Sequence, residues 1–209
     1  MPAIYYPNVE FRSLYIPHIL KEIYLDEVFS RVDRPCNVVL DIGANIGLTA
    51  MYLKDFSNKV YAVEPSTEHF EALTENGYKN GWKNVIPYKA AISHESGMRA
   101  FYLDDWNRTT HSLIKHSGRA ENVQCLTFAD FMFHFEIDTV DFCKLDVECA
   151  EEAILRGEGF ISVAPRIKSI LIEFHDAQQV PGILQHMSNL GYSYENIKAD
   201  AIIYMFKRK

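Results

Sequence analysis

Two rhythms of apolar and polar positions alternate along most of the chain. Short apolar runs of strand type stand at NVVLDIG (37–43), KVYAVEP (59–65), NVIPYKAAI (84–92), TVDFCKLDVE (139–148) and KSILIEFHD (168–176). Between them, apolar residues fall three to four apart, the spacing of a helix face, in IGLTAMYLKDF (46–56), STEHFEALTENGYKN (66–80), AEEAILRG (150–157) and a stretch from about 177 to 190. Pro65 stops the second strand, Ser66 is placed to cap the helix that follows, and Gly77 lies near that helix's end. MRAFYLD (98–104) and NVQCLTF (122–128) read as extra strands, FADFMFHF (128–135) as a short helix, and SYENI (193–197) with DAIIYMFKR (200–208) as a closing hairpin. Strands that are apolar almost throughout, alternating with helices, predict an α/β fold around a mostly parallel sheet, with an antiparallel strand added at the C-terminal end.

Ahead of this alternation, Ile16, Ile19, Leu20, Ile23, Tyr24 and Val28 follow helical spacing, with Pro17 suited to a first turn. Residues 1–36 are therefore expected to form a helical appendage that covers the core or edges a pocket, and 37–209 the main domain. The polar face of that helix carries Lys21, Glu22, Asp26 and Glu27, which is no basic stripe for a membrane surface.

Composition narrows the classes. Hydrophobic residues make up 48% and charged residues 23% of 209, a globular balance, and the formal net charge is −7. A broad basic footprint is absent, so neither a nucleic-acid nor a membrane partner is expected. The first twenty residues show no basic region followed by an apolar run, and no stretch is apolar enough to span a bilayer, so a cytoplasmic setting is expected. Cys36, Cys125, Cys143 and Cys149 form no CxxC pair and read as buried thiols; a zinc site is not expected.

The sharpest local signal is VVLDIGANIGLTA (38–50), a strand, a glycine turn and a helix start. Gly43 allows a backbone conformation that other residues avoid, and Gly47 allows close approach to strand or ligand. A dinucleotide loop of the form G-x-G-x-x-G would need glycine at Asn45 and Leu48, so a nicotinamide-dependent oxidoreductase is the weaker reading. Asp41, just before the turn, would repel a pyrophosphate but suits a ligand with an amino group, such as S-adenosylmethionine. Glu64, at the end of the second strand, can accept both hydroxyls of a ribose. Ala90, Ala91 and Ile92 end the third strand region and could pack on an adenine face.

LDIGANIGLTAMYL (40–53), VYAVEPSTEHFEALTEN (60–76), AAIS (90–93), LTFADFM (126–132), KLDVECAEEAILRG (144–157) and SILIEFHD (169–176) follow one another in an order and spacing that resembles FkbM-like methyltransferases. The resemblance covers roughly residues 37–176. It implies a class I, S-adenosylmethionine-dependent enzyme acting on a hydroxyl of a sugar or natural product and releasing S-adenosylhomocysteine. It also implies a Rossmann-like, doubly wound sheet of seven strands with helices on both faces. The cofactor contacts it suggests are Asp41, Gly43, Ala44, Asn45, Gly47 and Glu64; Pro65, Ser66, Ala91 and Ile92 are counted with them. Where the family pattern runs close to D-V-E-G-A-E, this chain has Cys149 at the glycine position.

Candidate chemistry lies at two strand ends. Asp146 and Glu148 share one face of KLDVE, and Glu173 and His175 one face of ILIEFHD, because strand side chains alternate. His175 is the expected general base, Asp146 orients substrate or polarises the site, and Glu148 is the further catalytic candidate. Asp146, Glu173, His175 and Asp176 could also serve a divalent cation, but a metal is not the favoured reading. Trp106, Arg108, His111, Ser112 and His116, in a polar stretch, could close over a small-molecule acceptor. A non-catalytic module that keeps only the adenosylmethionine pocket is a further alternative.

Overall fold

A computed structural model describes residues 17, 20, 21, 23, 28–103, 113, 119–198 and 202–209. Its strands are β1 (Cys36–Ile42), β2 (Ser57–Val63), β3 (Val85–Tyr88), β4 (Ala91–Ile92), β5 (Gly97–Leu103), β6 (Arg119–Leu126), β7 (Phe142–Leu145), β8 (Ser169–Glu173), β9 (Tyr192–Lys198) and β10 (Ile203–Arg208). The helices are α1 (Leu48–Leu53), α2 (Thr67–Lys79), α3 (Phe128–His134), α4 (Glu151–Arg156), α5 (Glu158–Ile161) and α6 (Val180–Asn189). Seven strands form one sheet in the order β3-β2-β1-β7-β8-β10-β9. The pairs from β3 to β8 are parallel, and β10 runs antiparallel to both neighbours, as the closing hairpin predicts.

Burial on both faces explains why β1, β7 and β8 sit at the centre. Leu40 and Ile42 of β1 face a core layer with Phe131, Leu145, Phe160 and Ile183, under α3, α4, α5 and α6. Val39 faces the opposite layer with Phe29, Ala50, Leu53, Leu73 and Phe142, under α1 and α2. From β1 the chain winds outward through β2 and β3, then returns to build β7 and β8 on the other side. That reversal opens a crevice between the carboxyl ends of β1 and β7, the usual ligand position in such sheets.

Three local expectations change. The strand region 84–92 splits: β3 stays on the main sheet's edge, where Pro87 can be held with one neighbour only, while β4 pairs with β6 in a separate three-stranded sheet, β4-β6-β5. The helix foreseen at 46–56 is shorter: α1 begins after Gly47 and runs into a 3-10 turn at Lys54–Phe56. The helix foreseen at 150–157 is α4, which ends before Gly157, and an unforeseen short helix, α5, follows; a Cβ on Gly157 would meet His94 and the Ala153 carbonyl at 3.3 Å.

Of the N-terminal segment, Ile23, Val28 and Phe29 are buried in the layer with Leu48, Met51 and Phe142. Ile16, Ile19, Tyr24 and the expected lid residues Trp106, Arg108, His111, Ser112 and His116 lie outside the described residues. No helix of the described residues is long and apolar enough to cross a membrane.

Candidate active site

Gly43 turns the chain at the end of β1 with φ 78°. Its amide and that of Ala44 both donate to the Val63 carbonyl at 3.0 Å, stitching the loop to the end of β2. Glu64 follows directly and closes the loop from the other side. Its Oε2 accepts the Asn45 amide at 2.8 Å and its Oε1 the Ser66 amide at 2.9 Å, with His69 Nδ1 3.7 Å from Oε1. A carboxylate offers about four acceptor positions, so Glu64 retains capacity for a further donor such as a ribose hydroxyl. Although the side chain is only slightly exposed, it lines the cavity above the loop.

The opposite wall is acidic. Asp146 and Glu148 follow β7, and Glu173 and His175 lie at and just beyond the end of β8. His175 Nε2 stands 3.7 Å from Asp146 Oδ1 and 3.5 Å from Glu148 Oε2, while Nδ1 is bonded to Glu151 Oε1 at 2.9 Å. Glu151 is 1% exposed and also accepts the Val147 and Cys149 amides at 3.3 Å. It therefore fixes both the turn after β7 and the imidazole orientation. Burial disfavours the imidazolium, but the Glu151 bond and the charges of Asp146 and Glu148 outweigh it and push the His175 pKa up to about 9. Atoms of Asp146, Glu148 and His175 that could hold a metal all lie within 4.8 Å of one another. At neutral pH the imidazolium itself supplies the positive charge that these carboxylates face.

One cavity of about 380 Å³ joins the two walls, within the range of small-molecule sites. Gly43, Ala44, Asn45, Glu64, Pro65, Ala91 and Ile92 of the expected cofactor set line it, as do Asp146, Glu148, Glu173 and His175. Three expected cofactor residues do not line it. Ser66 caps α2, accepting the His69 amide at 3.4 Å. Gly47 packs inward, where a Cβ would lie 2.5 Å from Leu73. Asp41 is wholly buried, its carboxylate without a hydrogen bond of ordinary geometry, and Lys144 stands 3.9 Å from it. Burial pushes the Asp41 pKa up to about 6, against the pull of Lys144.

Further lining residues come from outside the main sheet: Val28 and Phe29 belong to the N-terminal segment expected to edge a pocket and Leu113 to the stretch expected to close over the acceptor, whereas Phe101, from the small-sheet side, was not anticipated. Glu151, touching His175, was also missed, although an acid in the first turn of a helix after a carboxylate-bearing strand is a readable signal.

The profile of the Methyltransferase FkbM domain matches residues 41–194, from the β1 turn into β9. The chain belongs to the FkbM methyltransferase family. Among curated FkbM relatives, 31-O-demethyl-FK506 methyltransferase FkbM of Streptomyces tacrolimicus is 24% identical over 200 residues, covering 78% of this chain and 76% of that protein. Hexuronic acid methyltransferase AglP of Haloferax volcanii is 24% identical over 162 residues, covering 78% of this chain and 66% of AglP. In fold the chain is similar to methyltransferase FkbM from Methylobacillus flagellatus KT, with TM-score 0.54, 13% identity, and 87% and 50% of the two chains covered. The Streptococcus mutans protein SMU.1697c in complex with SAH gives TM-score 0.56 at 11% identity, covering 88% and 95%.

Cys149 stands where the FkbM pattern has glycine, and its backbone is left-handed. It has φ 84°, directly after Glu148 at φ 54°, so a Cβ occupies a conformation that favours glycine. Cys149→Gly is expected to stabilise the protein by ~1 kcal/mol, about 2–4 °C in Tm for a chain of this length. A lower Tm, measured by thermal unfolding, would show that the turn holds no such strain.

Proposed function

We propose that this chain is an S-adenosylmethionine-dependent O-methyltransferase acting on a hydroxyl of a small molecule, a sugar or natural product. The observation that carries the reading is the division of one cavity: the Gly43 loop, Glu64 and Ala91–Ile92 line one part, and the acidic residues with His175 line the other. The residues present suit the cofactor: Glu64, a buried carboxylate with spare acceptor capacity, stands beside a loop that has Asn45 and Leu48 where a pyrophosphate-binding loop would need glycines.

Bound there, S-adenosylmethionine would supply a sulfonium methyl group as the electrophile for an acceptor oxygen, with the thioether of S-adenosylhomocysteine as leaving group. Glu64 holds the ribose diol, the Gly43–Asn45 backbone approaches the methionine portion, and Ala91 with Ile92 packs against the adenine. Asp41 acts from behind Lys144 rather than by touching the methionine amine. Asp146 and Glu148 orient the acceptor hydroxyl, and neutral His175 takes its proton on Nε2. Holding both reactants aligned lowers the barrier by several kcal/mol in its own right, on the order of 7 or more for well-oriented pairs. The names of the FkbM and AglP relatives, one a 31-O-demethyl-FK506 methyltransferase and one a hexuronic acid methyltransferase, support an oxygenated small-molecule acceptor.

Calorimetry with S-adenosylhomocysteine tests the reading. Wild type should bind, and Glu64→Gln should lose affinity by ~10- to 150-fold, the worth of a charge-assisted hydrogen bond. NAD(H) should leave Tm unchanged. Equal S-adenosylhomocysteine affinity in the two proteins would remove Glu64 from the ribose, and stabilisation by NAD(H) alone would favour an oxidoreductase.

A further inference from the structure

Lys144 has no part in the chemistry above, yet it occupies the junction of the cavity's two walls. It lies on β7, paired with Asp41 on β1 and with Leu171 on β8, so these three side chains line up across one face of the sheet. Only 8% of the residue is exposed. Its Nζ donates to Asp146 Oδ2 at 2.9 Å and to the Gly43 carbonyl at 3.2 Å, and stands 3.9 Å from Asp41 Oδ1.

Burying an ammonium is costly, and a buried ion pair is often no more stabilising than apolar residues of similar size. The contacts made here reach beyond mutual neutralisation. One of them fixes a backbone carbonyl in the loop whose conformation shapes the cofactor side. We propose that Lys144 is a positioning residue for that loop: its ammonium, anchored on Asp146, holds the Gly43 carbonyl in the cofactor-binding conformation. This rests on the reading of the Gly43 side of the cavity as the cofactor side. Two physical points support it. Burial opposes the charge on Lys144, but Asp146 and Asp41 outweigh it and hold the side chain protonated, so it keeps its donors. The Gly43, Ala44 and Asn45 amides are held from the β2 side, by the Val63 carbonyl and Glu64, and Lys144 holds the Gly43 carbonyl from the β7 side.

The test separates holding the loop from neutralising Asp41. Lys144→Met alone would leave Asp41 as an unpaired buried charge and endanger folding. The informative set is therefore wild type, Asp41→Asn, and Asp41→Asn with Lys144→Met, each measured for Tm and for S-adenosylhomocysteine affinity by calorimetry. The double variant should keep a Tm close to that of Asp41→Asn, because no orphan charge remains. Its affinity should nonetheless fall by ~10-fold or more, the loss expected for one charge-assisted hydrogen bond. Asp41→Asn alone should stay within about threefold of wild type, less than half the worth of such a bond in free energy. Wild-type affinity in the double variant would overturn the proposal and leave Lys144 a structural counter-charge. An equal loss in Asp41→Asn alone would overturn it too, assigning the effect to Asp41. If the double variant does not fold, Lys144→Leu in the Asp41→Asn background, which likewise lacks a donor for the Gly43 carbonyl, is compared in the same way, and wild-type affinity there counts against the proposal. Absence of binding in wild type itself would instead strike the cofactor reading.

Discussion

Gly43→Ala should unfold the protein at markedly lower temperature than wild type and, in whatever fraction folds, displace Asp146. Two costs combine at this position. The backbone has φ +78°, which a Cβ disfavours, and the Cβ would lie 1.8 Å from the Asp146 carbonyl oxygen and 3.0 Å from its carbon. Those are backbone atoms, so no rotamer change relieves the clash. The end of β7 would have to move away from β1, yet the Asp146 amide donates to the Ile42 carbonyl at 3.2 Å and Ile42 pairs with Leu145. Overpacking and left-handed strain together are expected to cost at least ~3 kcal/mol, about 6–12 °C in Tm for a chain of this length. Gly81 is the control, with φ +60° but nothing within 4 Å of a built Cβ. Gly81→Ala should lose only about 1 kcal/mol. If thermal unfolding gave the two variants equal losses, close approach of the β1 turn to β7 would not be what requires glycine at 43.

The second large effect concerns proton transfer at His175. With its pKa raised to about 9, the imidazole is charged at neutral pH and has no lone pair on Nε2 for an incoming proton. The rate should therefore climb with pH, kcat/KM levelling only above about 9, and not near the ordinary histidine value of 6.5 that a sequence reading would use. Glu151→Gln keeps a polar partner for Nδ1 but removes its charge, so the limb should move down towards 6.5. His175→Ala should abolish the limb and lower kcat by ~100-fold or more, leaving S-adenosylhomocysteine affinity within about threefold. Rates on a panel of hydroxylated acceptors and an NMR titration of the His175 ring check these outcomes. Near-wild-type turnover in His175→Ala would transfer the base role to Asp146 or Glu148. The same raised pKa bears on stability: what His175 contributes to the fold is complete below about 6.5 and is lost as pH rises through about 9.

Glu64 was legible before any coordinates because a carboxylate at the end of the second strand, beside a turn lacking two of three expected glycines, already points away from phosphate. His175 was legible as a strand-end side chain facing the same way as Glu173. Its protonation was not, because that depends on Glu151, which arrives from another helix, and on two carboxylates from the turn after β7. Asp41 was misjudged in depth. Sequence places it at a ligand edge, but Lys144, far away in the chain and its direct partner on the neighbouring strand β7, stands beside it while the cavity passes it by.

By itself the sequence determined the order of elements, the faces of the strands and the position of the glycine turn. Each of these follows from local periodicity and from backbone conformations that few residues adopt. Tertiary structure decided the rest: that β4 leaves the main sheet for β6, that Phe101 of the small sheet lines the cavity, that Glu151 reaches His175, and that Asp41 lies behind Lys144. Those outcomes depend on which residues distant in the chain meet, and on how deeply each is buried once they do; burial and neighbouring charge then set protonation. A pattern of period 2 or 3.6 carries direction but not depth.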